Sequence, residues 1–238
     1  MTARGVAALW RWRTPMAVLL LLAAGPIDAD AQIWIGSDVP RRGSVEISGG
    51  AVSLGGFDMG SRDAEETRNI NTGAGSFTLF GTDSRIGAAP GAQLRVGVYL
   101  SKAISIEAGL QYARPTLSSM LTGDAEDAPD LTAEETTTRY LFDGSLVLHL
   151  TRMSFAGGRG VPFLSGGAGY LRELHERNEY IETGREYHAT AGLKLWFGRR
   201  PRVGLRVDAG ASIRDGGADF RSGRRTVPTA GFSLAYLF

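Results

Sequence analysis

Cysteine is absent from the 238 residues, so neither a disulfide framework nor a lipid-modified N-terminal cysteine is open to the chain. Long apolar runs are missing as well. The apolar stretch Met16 to Ala24 falls short of the roughly 20 residues a helix needs to cross a bilayer, and no later segment of that length is free of charge. Nor does one sign of charge prevail: 26 basic side chains face 25 acidic ones, which argues against nucleic-acid binding as the main task.

What the sequence does hold begins with Arg4, Arg11 and Arg13 ahead of that apolar run, followed by Gly25, Pro26 and Ala29-Asp30-Ala31. This is the pattern of a secretory signal peptide and predicts export with cleavage before Gln32. The expected organisation is a signal peptide over 1–31, a periplasmic N-terminal segment over 32–43 and one barrel domain over 44–238. Setting the first 31 residues aside removes those three arginines together with Asp28 and Asp30, and leaves 23 basic and 23 acidic side chains. Thirty-three glycines and a mean hydropathy of -0.08 fit many short strands joined by turns.

From Ala92 onward the residues alternate with period two, the spacing of a strand with two unlike faces. Ala92, Leu94, Val96, Val98 and Leu100 oppose Gln93, Arg95, Gly97 and Tyr99. After a short turn, Ile104, Ile106, Ala108, Leu110 and Tyr112 oppose Ser105, Glu107, Gly109 and Gln111, which predicts an antiparallel hairpin. Four further segments repeat the pattern from about Arg139, Tyr187, Val203 and Ala230, although Leu141 and Val147 fall on a polar side. Segment 161–174 is interrupted by Gly166, Gly167 and Gly169, and segment 44–57 changes phase near Gly49-Gly50, where a bulge is expected.

Both soluble and membrane barrels alternate, so the location of the charges decides between them. Here the polar faces carry Arg95, Glu107, Arg139, Asp143, Lys194, Arg206 and Asp208, a mixture of signs that predicts pairing across a closed lumen. Short links at about 101–103, 151–160 and 198–202 alternate with long polar ones at about 58–90, 118–135, 174–185 and 215–225, as in outer-membrane barrels. Tyr112, Tyr140 and Tyr187 fall at loop-side ends, whereas Phe197, Tyr236 and Phe238 fall at turn-side ends, giving two aromatic girdles. The predicted fold is all-β: a closed antiparallel up-and-down transmembrane β-barrel of eight strands. Ser76 to Gly81 (SFTLFG) offers an extra strand or hairpin that would raise the count to ten.

The signal peptide, the hairpin Gly91 to Ala113 (GAQLRVGVYLSKAISIEAGLQYA) and the last segment Thr229 to Phe238 (TAGFSLAYLF) resemble those of the small outer-membrane β-barrel proteins of Gram-negative bacteria, of the OmpA transmembrane-domain and OmpX type. The resemblance implies that Phe232, Leu234, Tyr236 and Phe238 form the signal read by the barrel-assembly machinery, beside their plainer role of facing lipid. It also implies outer-membrane lipid and lipopolysaccharide as surroundings and a monomeric state. Unlike OmpA-type chains that continue into a peptidoglycan-binding domain, this sequence stops at the last strand, so no cell-wall anchor is expected.

Candidate sites are few, and no catalytic, cofactor or metal residue is assigned. Asp124, Glu126, Asp127, Asp130, Glu134 and Glu135 supply oxygens for a cation but lack the ordered spacing of a calcium loop, so a solvated loop is expected. Glu173, His175, Glu176 and Glu179 lie among Arg172, Arg177 and Arg185, which favours charge pairing over a metal. Arg214, Arg221, Arg224 and Arg225 suit lipopolysaccharide phosphates, because guanidinium binds phosphate bidentately. His149 beside Thr151 and His188 beside Thr190 are the only pairs that suggest a lipid-modifying enzyme. A non-enzymatic structural or surface-interaction role is the first reading, a narrow channel for small or apolar solutes the second, and lipid A modification the third.

Overall fold

The computed structural model describes residues 40–67, 76–124, 129–175, 181–197, 202–216 and 224–238. The expected signal peptide and most of the 32–43 segment lie outside the described residues, as do Glu126, Asp127, Glu176, Arg177, Glu179 and Arg221.

Twelve strands follow in chain order: β1 Val45–Leu54, β2 Phe57–Thr67, β3 Ser76–Ile86, β4 Ala89–Tyr99, β5 Ile104–Ala113, β6 Thr116–Thr122, β7 Leu131–Thr136, β8 Thr138–His149, β9 Gly160–Leu174, β10 Ile181–Phe197, β11 Val203–Gly216 and β12 Arg225–Leu237. Eight of them close a barrel in the order β1-β12-β11-β10-β9-β8-β5-β4, and β1 completes the ring by pairing antiparallel with both β12 and β4. Closure leaves no barrel strand with an unpaired edge, the condition for crossing a lipid phase with strands.

The barrel turns the usual rule of burial inside out. Leu94, Ile106, Leu146, Leu164, Val207 and Leu234 are exposed on the outside, while Arg95, Glu107, Arg139, Lys194, Arg206 and Arg214 are buried within. Such an arrangement has its lowest free energy when hydrocarbon surrounds the outside, since roughly 25 cal/mol is gained per Å² of apolar surface removed from water. The chain is a closed eight-stranded transmembrane barrel. Tyr112 and Tyr140 touch at the loop-side end, with ring centroids 5.3 Å apart, and Tyr236 meets Phe238 edge-on at the turn-side end.

Two expectations are corrected. The long links 58–90 and 118–135 are not simply loops: they carry β2, β3, β6 and β7, which form a separate four-stranded sheet in the order β2-β3-β6-β7. Ser76 to Gly81 belongs to β3 of this sheet and adds nothing to the barrel count. Its strands continue β1, β4, β5 and β8 after short breaks, so the second sheet carries the barrel hairpins onward at the loop side. The bulge expected at Gly49-Gly50 is also absent, because β1 keeps unbroken register with β4 and β12. The apparent phase change comes from apolar residues on the lumen side: Glu46 and Ser48 face inward, and so do Val52 and Leu54 further along. Register shifts occur instead in the β2–β3 pair, at Asp58/Gly60 and Ala64/Glu65.

Candidate functional site

The lumen is the feature the barrel is built around, and its side chains come from inward positions of every barrel strand. At the turn-side end, Lys194 of β10 donates to both carboxylate oxygens of Glu46 on β1 at 2.8 Å. Tyr99 of β4 donates its hydroxyl to the same carboxylate at 2.6 Å. Lys194 also reaches Glu107 of β5 at 3.2 Å. Glu107 in turn accepts from Arg206 of β11 at 2.6 Å, and Arg206 is held from its other side by Asp208 at 3.0 Å. The Arg206 guanidinium lies 4.6 Å from the centre of the Phe163 ring, a cation–π contact made in a dry surrounding.

Midway along the lumen, Arg95 donates to Asp143 at 3.1 Å and Gln93 donates to Ser233 at 3.0 Å. Nearer the loop side, Glu186 of β10 accepts from both Arg139 and Arg214, the latter at 3.0 Å. The turn-side layer joins facing walls, Arg206 of β11 to Glu107 of β5, whereas the middle and loop-side layers join strands that are adjacent or two apart in the ring. Removing one member of such a buried pair leaves an uncompensated charge, which is far costlier than the net gain from forming the pair.

Apolar groups close both ends of this polar column. On the loop side, inward-facing Val52, Leu54 and Ala113 form one buried cluster. Met59, Ile86 and Leu117, with Phe57 against them, form a second where the four-stranded sheet begins. Arg214 links the two regions, its guanidinium 5.3 Å from the Phe57 ring centre. On the turn side, Tyr99, Trp196, Ala235 and Leu237 pack together, and His149 stacks on Tyr99 with ring centroids 4.9 Å apart. A void of about 20 Å³ lined by Gln93, Arg95, Glu186, His188 and Asp208 lies within the column, enough for about one water. A larger one of about 130 Å³ opens beneath Tyr99, His149 and Trp196.

The structure places all seven sequence-predicted lumen residues inside the barrel, but their partners include groups that sequence reasoning passed over. Glu46, Tyr99, Glu186 and Arg214 each complete a pair. Arg214 was expected at the loop surface, yet it is buried and bonded to Glu186, so it is not available for lipopolysaccharide; Arg224 is exposed. The two histidines also take partners other than the expected threonines. His149 pairs with Ser105 at 2.9 Å, and His188 pairs with Ser145 at 2.9 Å.

Ser145 donates its proton to Asp143 at 3.0 Å, so His188 must present N–H to the Ser145 oxygen. In a Ser-His-Asp triad the acid orients the histidine from its far nitrogen while the near one takes the serine proton. Here the acid sits on the serine, and the far nitrogen of His188 is buried with no hydrogen-bond partner. At the loop-side rim His175 bonds Glu135 of β7 at 3.0 Å and approaches Glu182 of β10 at 3.7 Å through its opposite ring nitrogen. Carboxylates on opposite sides of the ring hold together strands from the two sheets rather than converge on one ion, and no metal-ligating cluster occurs among the described residues. Phe232, Leu234, Tyr236 and Phe238 are exposed on the outward side of β12 and its end.

A charge-filled, apolar-capped, eight-stranded barrel turned outward to lipid defines the class. No protein-family model and no curated protein sequence matches the chain. Among solved structures, the outer membrane protein OprG from Pseudomonas aeruginosa shares the fold at a TM-score of 0.50 and 10% identity, over 83% of this chain and 97% of that one. Ail, the attachment invasion locus protein of Yersinia pestis, aligns over 83% of this chain and 99% of its own at 13% identity, with a TM-score of 0.38.

Proposed function

We propose that the chain is an exported, non-enzymatic outer-membrane protein whose barrel is sealed and whose working surface is the extracellular four-stranded sheet with its neighbouring loops. The observation that carries this reading is the stacked lumen: layers of ion pairs fill it, the turn-side one bridging facing walls from Arg206 to Glu107, and apolar clusters lie above and below them. An open pore needs a wider ring of strands, and the ion-paired side chains of this eight-stranded lumen leave within the column a void of only about 20 Å³, too small for a solute beyond about one water. Function on such a scaffold belongs to the loops it presents.

Outer-membrane placement is supported by the lipid-compatible exterior, the alternation of short turns with long extensions, and the fold shared with OprG. In this setting the barrel is a monomer surrounded by outer-membrane lipid and lipopolysaccharide. Outward-facing Phe232, Leu234, Tyr236 and Phe238 serve as the strand read by the assembly machinery before they face hydrocarbon.

Planar-bilayer recordings on the refolded protein test the sealed reading. The wild type is expected to give no resolved conductance steps, whereas Glu46→Ala, Glu107→Ala, Lys194→Ala and Arg206→Ala combined should give them. Steady unitary conductance from the wild type would instead establish the narrow channel.

A further inference from the structure

Among the described residues, the charged side chains exposed at the periplasmic end of the barrel are of one sign. Arg42 precedes β1, Lys102 lies in the β4–β5 turn, Arg152 and Arg159 lie in the β8–β9 connection, and Arg202 precedes β11. All five are exposed, and none has a carboxylate partner among the described residues. No aspartate or glutamate stands among the described residues of these turns; the nearest, Glu46, is spent inside the lumen on Lys194. The loop-side end is different, with Asp58, Asp83, Glu134 and Asp215 interspersed with Arg62, Arg85, Arg114 and Arg224. Cations drawn from four separate points of the rim, with no carboxylate partner among the described residues, make this end electrostatically suited to an anionic surface.

The same turns also present apolar groups. Met153 and Phe155 are 65% and 49% exposed beside Arg152 and Arg159, and Phe197, Val203 and Phe238 are exposed close by. The β8–β9 connection is a fixed structure rather than a slack loop. Thr151–Met153 forms a 3-10 turn, Phe155 bridges Gly160 through backbone hydrogen bonds, and the Phe155 ring occupies the space a Cβ on Gly160 would fill. Between them Ala156, Gly157 and Gly158 adopt positive φ. Apolar side chains that dip into acyl chains beside cations that reach for headgroups are the signature of a membrane interface, and a soluble polyanion has no use for the apolar half.

We infer that the periplasmic rim is a lipid-reading collar in which Arg42, Lys102, Arg152, Arg159 and Arg202 hold the phosphates of anionic phospholipids in the leaflet facing the periplasm. Guanidinium grips phosphate in a fork and ammonium as a point charge, while Met153 and Phe155 set the depth of the β8–β9 turn. The collar depends on the barrel's orientation in the membrane and is indifferent to whether the lumen conducts.

The test uses the refolded protein in nanodiscs containing equal phosphatidylcholine and phosphatidylglycerol, with retained lipids counted by native mass spectrometry. The wild type is expected to keep phosphatidylglycerol in preference, by up to about fivefold for each cation at the headgroup plane. The preference should fall stepwise in Arg152→Ser/Arg159→Ser and again when Lys102→Ser is added. Arg85→Ser/Arg114→Ser at the opposite end should leave it unchanged. Heat-modifiable gel mobility verifies that each variant is folded, and should a collar variant not fold, the wild-type preference must still decline as salt is raised. Equal retention of the two lipids, a preference the collar substitutions leave intact, or one that persists at high salt overturns the inference. Bilayer conductance on the same preparations reports separately on the sealed lumen.

Discussion

Lys194 places its ammonium 2.8 Å from both carboxylate oxygens of Glu46, although 148 residues separate the two in sequence. The pair spans the lumen from β10 to β1. Glu46→Ala would leave Lys194 with Glu107 as its one carboxylate beside the Tyr99 hydroxyl, and would strip that hydroxyl of its acceptor; the expected loss is about 3–5 kcal/mol. Urea unfolding in phospholipid vesicles measures it. Adding Lys194→Met should recover part of the loss, because the stranded charge is the larger cost; a double variant no more stable than Glu46→Ala would show the pair is not the source.

Gly192 owes its identity to the lumen. A Cβ there would fall 2.5 Å from the Phe163 ring and 2.4 Å from the Val207 carbonyl oxygen, and that ring supports Arg206. Gly192→Ala is expected to destabilise by about 1–3 kcal/mol. Phe163→Leu, which frees space beside the new methyl, should cost less in that background than in the wild type. Strict additivity of the two unfolding free energies would mean that the ring and the glycine do not share a constraint.

Six of the eight barrel segments were plainly legible in the sequence because lipid outside and ions inside impose a period of two; segments 44–57 and 161–174 showed it only in part. Where the lumen itself becomes apolar, the signal fails. Val52 and Leu54 face inward like Glu46 and Ser48, so β1 reads as if it changed phase, and this hid Glu46 as the partner of Lys194. Leu141 and Val147 on the polar side of β8 are likewise buried inside. Glu186 and Arg214 lie on polar faces close to strand ends, where parity alone does not separate a lumen group from a loop group. Ser105 and Ser145 were unreadable as histidine partners because hydrogen-bonded neighbours in a sheet come from other strands. The second sheet was hidden by composition: β7, LTAEET, has all its described side chains exposed or half-exposed, and so carries no apolar alternation to betray it.

The second sheet should open independently of the barrel. Its outer strands β2 and β7 each pair on one side only within it, and side-chain contacts such as Phe57 with Arg214 and Glu135 with His175 tie it to the barrel. Amide hydrogen exchange is expected to be faster in β2, β3, β6 and β7 than in β9 to β11, since local opening follows the density of buried apolar contacts. Phe57→Ser should speed exchange in β2 and β3 and leave β10 and β11 unchanged. Uniformly slow exchange through both sheets would show that they unfold as one unit.

Glu186 should matter more than Glu173, although both are buried carboxylates beside Arg139. Glu186 accepts from Arg139 and Arg214 together, whereas Glu173 lies 4.0 Å from Arg139. Glu186→Gln removes the charge that two buried guanidinium groups share, and a loss of about 3–5 kcal/mol is expected by unfolding in vesicles; Glu173→Gln should cost less than half of that. Arg139 keeps Glu173 at 4.0 Å, so Arg214 is the cation left stranded by Glu186→Gln; adding Arg214→Leu removes that cation and should restore stability, even though it removes a further native hydrogen bond. That sign is the informative one. If buried ion pairs here contributed simply by the number of bonds made, the second substitution would deepen the loss, whereas compensation of charge in a dry lumen requires that it reverse it.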